Sequence, residues 1–219
     1  MAGQVGGFMS LAALLIVSWG FGTVAARAVA DAALLERAAF RMLLGLCISA
    51  VLIVAAGSWS LAGLHIAMMA LAIPCAALLI RDALRGVRLF HPRSCLSWPF
   101  IEKAAGAAVL AGLALGFVSA LAPCTGWDAA AAHMALPAEY QRRGFILAYA
   151  GNTYSGYPHL LHSLYTYALY TSGERGAQLL NWVFSALACA ALYALGNRLG
   201  GRRCGLFAAA MLAVAPIFF

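Results

Sequence analysis

The stretch MLLGLCISAVLIVAAGSWSLAGLHIAMMALAIPCAALLI, residues 42–80, contains no aspartate, glutamate, lysine or arginine. A helix crossing a bilayer needs about 20 mostly apolar residues. The run is too long for one crossing and suits two, hinged where Gly57-Ser58-Trp59-Ser60 offers a tight turn. It therefore predicts spans near 42–57 and 61–80, and the same pattern recurs along the chain. Apolar runs at 8–26, 104–122 and 177–195 read as further spans, and a sixth begins near Leu206 and continues to Phe219. The fold class expected is an all-α, polytopic transmembrane bundle of about six spans, with surface helices in one long loop. Residues 1–103 form three spans with a basic cytoplasmic loop. Residues 104–219 open a second unit carrying the long loop at 123–176.

Composition agrees. Hydrophobic residues make up 64% of the chain and charged residues only 10%, with a mean hydropathy of +0.89, whereas a soluble domain carries about 25% charge. The formal net charge of +7 does not point to nucleic acid, because basic residues in a membrane chain mark cytoplasmic loops. Arg27, Arg37, Arg41, Arg81, Arg85, Arg88, Arg93, Lys103, Arg198, Arg202 and Arg203 all fall on one side of a six-span topology. Only Arg142, Arg143 and Arg175 fall on the other. Loop 123–176 is thus expected outside the cytoplasm, with the protein in a bacterial inner membrane. The first run, lacking a basic leader, reads as a retained span, although Ala28-Val29-Ala30 resembles a signal-cleavage site. The six cysteines are scattered without metal-binding spacing, and no disulfide between loops is expected. MLAVAPIFF at 211–219 has no polar flank, the pattern of a chain that continues.

Polar chemistry collects in loop 123–176, which holds Asp128, His133, Glu139, Tyr140, Arg142, Arg143, Asn152, Tyr154, Tyr157, His159 and His162. Its pattern predicts a helix from about Trp127 to Arg143, a turn at 151–156, and a Tyr-rich helix from Pro158 to Tyr170. Both helices are expected to lie along the membrane surface. Thr125-Gly126-Trp127-Asp128 fits a capping box, so Asp128 can serve as a helix cap. Just outside a spanning helix it can also act as a base toward a membrane-borne substrate. His159 and His162 share a helix face, but a metal site needs a third ligand such as Asp128 or His133. Polar packing is the simpler reading, so no cofactor is expected and a divalent metal is unsupported. Arg142 and Arg143 suit a phosphate, or simply end a helix. Gly112 and Gly116 form a GxxxG helix-packing pair.

Trp127-Asp128-Ala129 with His133, Pro137, Tyr140 and Gly144 resembles the first external loop of GT-C-type polytopic glycosyltransferases. The nearest likeness is to bacterial protein O-mannosyltransferase and aminoarabinose-transferase groups. Tyr157-Pro158 with Leu164-Tyr165 is similar to their second loop motif. Leu179-Leu180-Asn181-Trp182, the Gly-Arg-Arg turn at 201–203 and Ala215-Pro216 extend the likeness over residues 104–219. Ala132 stands in place of a tyrosine common in those proteins, and His162 in place of a glutamate. The resemblance implies a polyprenyl-phosphate-linked sugar donor, a lipid or glycan acceptor, and Asp128 as the base in an inverting transfer. It implies substrate contacts from Trp127, His133, Tyr140, Arg142, Arg143, Tyr154, His159 and His162. The alternative is a transport or assembly subunit without catalysis. A carrier would show charged or Pro/Gly-broken positions inside its spans, and only Pro74 breaks one.

Overall fold

The computed structural model describes residues 2–26, 34–87, 98–123, 133–149, 155 and 160–215. Six helices follow one another: α1 (Ala2–Ala25), α2 (Leu34–Gly57), α3 (Leu61–Val87), α4 (Phe100–Leu121), α5 (Ala135–Arg143) and α6 (Leu160–Ala213). The described residues contain no strand. Five of the helices, all but α5, are long and apolar enough to cross a membrane. The protein is an integral membrane protein with an all-α bundle.

α6 is not one rod. At 1.5 Å per residue its length would be about 80 Å, far more than a bilayer. Gly173, Gly200 and Gly201 leave helical geometry and break it into three pieces, α6a (160–172), α6b (174–199) and α6c (202–213). Gly173 and Gly201 have positive φ, +69° and +78°, where a side chain would be strained. The second break folds α6c back on α6b so closely that a Cβ on Gly196 would collide with the backbone of Gly205.

The helices run longer than hydropathy indicated. α2 begins at Leu34 rather than 42, so Glu36, Arg37 and Arg41 lie within its first turns. α3 continues past Ile80 through Arg81, Asp82 and Arg85. Charged residues end the apolar run without ending the helix, since arginine and glutamate are good helix formers. The run read as a sixth span begins at 202, just after Gly201, and is helical only through Ala213, just short of Pro216. Proline disfavours helix in the residue before it.

Small residues set the packing. A Cβ on Gly22 would collide with the backbone of Arg41, and one on Gly45 with that of Ser18. Removal of these methyl groups lets α1 and α2 meet backbone to backbone, as small residues do in lipid. Ser18 and Ser49, both buried, hydrogen-bond across that contact at 2.9 Å. In α4, Gly112 plays the same part against Ala213 of α6c, and Gly116 is buried beside it. The GxxxG pair is a packing surface, as its spacing indicated. Trp182 of α6b donates its indole N–H to the Leu113 carbonyl at 2.8 Å, tying α6b to α4.

α6a departs most from expectation. The surface placement predicted for a Tyr-rich helix is wrong: residues 163–169 are all buried. Ser163 donates to the Ala50 carbonyl of α2 at 3.1 Å, and Ser172 to the Gly7 carbonyl of α1. The Tyr167 hydroxyl lies 3.1 Å from His65 Nδ1 of α3. Its tyrosines, serines and threonine are compatible with burial because α1, α2, α3 and its own backbone supply partners. One apolar core joins Leu14, Leu46, Leu61, Leu136, Tyr167 and Leu180.

Charge separates the bundle into two ends. At one, Glu36 pairs with Arg198 at 2.8 Å and Asp82 with Arg41 and Arg81 at 3.0 and 3.1 Å. Buried Glu102 there holds Arg202 and Arg203 at 2.6 and 2.9 Å. The opposite end carries α5 and the loop that follows it. There Leu61 N–H donates to the Gly144 carbonyl at 2.9 Å and Ile146 N–H to the Gly57 carbonyl at 2.8 Å. The α2–α3 hairpin is thus clamped under residues 144–146.

Candidate functional site

α5 is preceded by a π turn at residues 133–134 and closed by Gly144 in the left-handed region, φ +80°. Gly144 donates its N–H back to the Tyr140 carbonyl at 2.9 Å, the C-terminal closure glycine favours. Leu136, Pro137 and Tyr140 face the core. The opposite face carries Glu139, Arg142 and Arg143.

His133, at the start of α5, lies with its Nδ1 3.1 Å from Nε2 of His162 on α6a. The ring centres are 5.1 Å apart and the planes 23° from parallel. That separation is close to the nitrogen distance plus two ring radii, so the nitrogens point at each other along the line of centres. The contact is an N–H···N hydrogen bond rather than a face-to-face stack. One ring donates and the other accepts, so the bonded pair carries at most one positive charge. His162 also meets the edge of Tyr165, 6.4 Å between centres. The Tyr165 hydroxyl donates to Asn181 Oδ1 on α6b at 3.0 Å. A polar chain thus runs His133–His162–Tyr165–Asn181 across α5, α6a and α6b.

The two arginines of α5 are already engaged. Glu139 accepts from Arg142 Nε and Nη2 at 3.0 and 2.8 Å and from Arg143 Nε at 2.6 Å. These hydrogen bonds, Arg142's first, hold the Glu139 carboxyl down at about 2. The Arg143 guanidinium sits 4.0 Å over the Tyr149 ring, a cation–π contact. The Ser155 hydroxyl donates to the Tyr149 carbonyl at 2.8 Å and accepts from its N–H at 3.0 Å.

Of the residues singled out in the sequence, His133 and His162 come together, and Arg142 and Arg143 converge on a carboxylate. Tyr140 is a correction. It is 2% exposed, packs edge-on against Tyr149, and burial raises its phenol above the ordinary range. It belongs to the core under α5 rather than to a substrate surface. Asp128, Trp127, Tyr154 and His159 lie outside the described residues. Among the described residues no three His, Cys, Asp or Glu side chains are placed to hold a metal ion. Sequence reading passed over His65, whose only signal was its isolation within the uncharged run 42–80. Set against protein-family models, curated proteins and solved structures, the chain matches none.

Proposed function

We propose that this protein is a membrane glycosyltransferase, or the N-terminal part of one, that moves a sugar from a polyprenyl-phosphate donor to a lipid or glycan acceptor. Asp128 is its base, and the end bearing α5 faces away from the cytoplasm of a bacterial inner membrane. The observation that carries the reading is the polar chain His133–His162–Tyr165–Asn181. It joins the two parts of the sequence that resemble GT-C loop motifs, at the end of the bundle opposite the basic one. Its hydrogen bonds fix the start of α5, and hence the point from which residues 124–132 are carried.

The chemistry asked of the protein is modest. An acceptor hydroxyl loses its proton to a carboxylate as it attacks the anomeric carbon, the bond to the phosphate oxygen breaks, and the polyprenyl phosphate leaves. A carrier is disfavoured because the described helices place their charged side chains near their ends, with none at mid-span. The test is Asp128→Asn in the native membrane, assayed for transfer of labelled sugar from polyprenyl phosphate. General-base removal lowers the rate by roughly 10²–10⁴-fold while the amount of protein in the membrane stays the same. Wild-type transfer by Asp128→Asn would leave Asp128 as a helix cap and sink the proposal.

A further inference from the structure

A cavity of about 330 Å³ opens at the α5 end, lined by Phe8, Ala122, Pro123, Ser172, Glu174 and Arg175. It lies where the start of α1, the end of α4 and the Gly173 break of α6 meet. Gly173 makes the site possible. Its positive φ turns the chain between α6a and α6b, so that Ser172 closes one piece and Glu174 and Arg175 open the next. Ser172 is fixed by its hydrogen bond to the Gly7 carbonyl.

The charges distinguish this cavity from the surface around it. Three basic residues lie at this end of the bundle, and Arg142 and Arg143 are both held by Glu139. Arg175 makes no ion pair among the described residues. It is the cation left available for an incoming anion, and a guanidinium matches phosphate oxygens well. Glu174 lines the same cavity and accepts a hydrogen bond from Gln178 at 3.3 Å. A carboxylate has room for further donors. One cation and one anion side by side disfavour a highly charged phosphate and suit a ligand carrying both signs.

The walls indicate that the ligand comes from the membrane. Phe8 and Met9 on α1, and Leu115, Val118 and Leu121 on α4, are exposed. They form apolar faces running down from the cavity along two spanning helices. A headgroup seated between Glu174 and Arg175 leaves its acyl chains along those faces.

We propose that this cavity binds the headgroup of an amine-bearing phospholipid of the phosphoethanolamine class, its phosphate on Arg175 and its ammonium on Glu174. The site is separate from the transferase reading and does not depend on it. The experiment is lipid retention by the purified protein in nanodiscs or mild detergent, measured by native mass spectrometry. The lipids compared are phosphatidylethanolamine, phosphatidylglycerol and phosphatidylcholine. Wild type retains phosphatidylethanolamine over the other two. Arg175→Gln lowers retention of all three by roughly tenfold, the effect of losing a charge-assisted hydrogen bond, and Arg175→Lys restores part of it. Glu174→Gln abolishes the preference over phosphatidylglycerol while keeping binding. Helical circular dichroism and elution volume, unchanged in each variant, separate a binding loss from misfolding. Soluble glycerophosphoethanolamine does not displace the lipid, because it lacks the chains. Equal retention by wild type and Arg175→Gln, or no preference among the lipids, would overturn the proposal. Displacement by the soluble headgroup would transfer the site from lipid to a free phosphate ester and overturn it equally.

Discussion

The two ends of the bundle use charge in opposite ways. At the basic end every ion pair but Arg81–Asp82 joins different helices: α2 to α6b through Glu36–Arg198, α2 to α3 through Arg41–Asp82, α4 to α6c through Glu102 and its two arginines. Thr23 of α1 adds a hydrogen bond to Asp82 at 3.2 Å. At the α5 end the ion pairs stay within one turn of one helix, Glu139 with Arg142 and Arg143. Contacts between elements there are made by histidine, tyrosine, asparagine and backbone groups. Charges that stitch helices together are fixed by the fold. Charges paired locally, and neutral hydrogen bonds between elements, leave the second end free to exchange partners with a ligand.

If the basic end is the structural one, its close packing is the place to break it. Gly22→Ala puts a methyl group into the Arg41 backbone, forcing α1 off α2 beside the Asp82 cluster. Overpacking costs about 1–3 kcal/mol or more, so this variant is expected to show the largest fall in thermal stability in detergent. A melting temperature equal to wild type would mean the contact is looser than described.

Glu102→Gln comes next. The carboxylate is 3% exposed and holds both Arg202 and Arg203, so its neutralisation leaves two guanidinium groups without a counter-ion. The melting temperature is expected to fall, by less than for Gly22→Ala because both arginines reach water. Accessibility of exposed Cys204 to a thiol reagent should rise at the same time, since α6c loses its hold on α4. Stability loss without faster Cys204 labelling would place the damage elsewhere.

The α5 end is tested by His133→Ala, His162→Ala and the double variant. A neutral hydrogen bond contributes about 0.5–1.5 kcal/mol, and a double-mutant cycle isolates it from what each ring does alone. The expected coupling lies in that range. A coupling of zero would mean the two rings are neighbours without a bond, and the polar chain to Asn181 would lose its first link.

Much of this architecture could be read from residues alone, and the parts that could not have a common cause. The uncharged run 42–80 marked a two-span hairpin, and Gly57–Ser60 its turn, because the bilayer allows few alternatives for so apolar a stretch. The segregation of arginines matched the two ends of the bundle for the same reason. Helix ends were misread wherever charged helix formers followed an apolar run, as at Glu36–Arg41 and Arg81–Arg85, because hydropathy reports the membrane and not the helix. α6a was misread because tyrosine, serine and threonine look interfacial in sequence. Only the positions of Ala50, His65 and Gly7 show that they are satisfied inside. Within the site, the sequence singled out His133 and His162 but not their bond, which depends on two helices meeting. It assigned Arg142 and Arg143 to a phosphate because nothing in a linear reading weighs Glu139 against a ligand.

That last point leads to the smallest effect expected. Glu139→Gln should leave the melting temperature at neutral pH nearly unchanged, since ion pairs this exposed to water contribute little. Its pH dependence is the informative part. A carboxyl whose folded value is depressed contributes stability above its ordinary value, near 4.5, and that contribution is lost as pH falls toward about 2. Wild type should therefore lose a small stability increment between those limits that Glu139→Gln never had, and the two melting curves should converge there. The same substitution releases Arg142 and Arg143. If these arginines are held back from anions only by Glu139, the variant should bind anionic vesicles more tightly at low salt, and the gain should vanish at high salt. Unchanged vesicle binding would mean the arginines already reach the membrane surface while paired. The α5 end would then resemble the basic end more closely, with its cations placed by the fold rather than left for a partner.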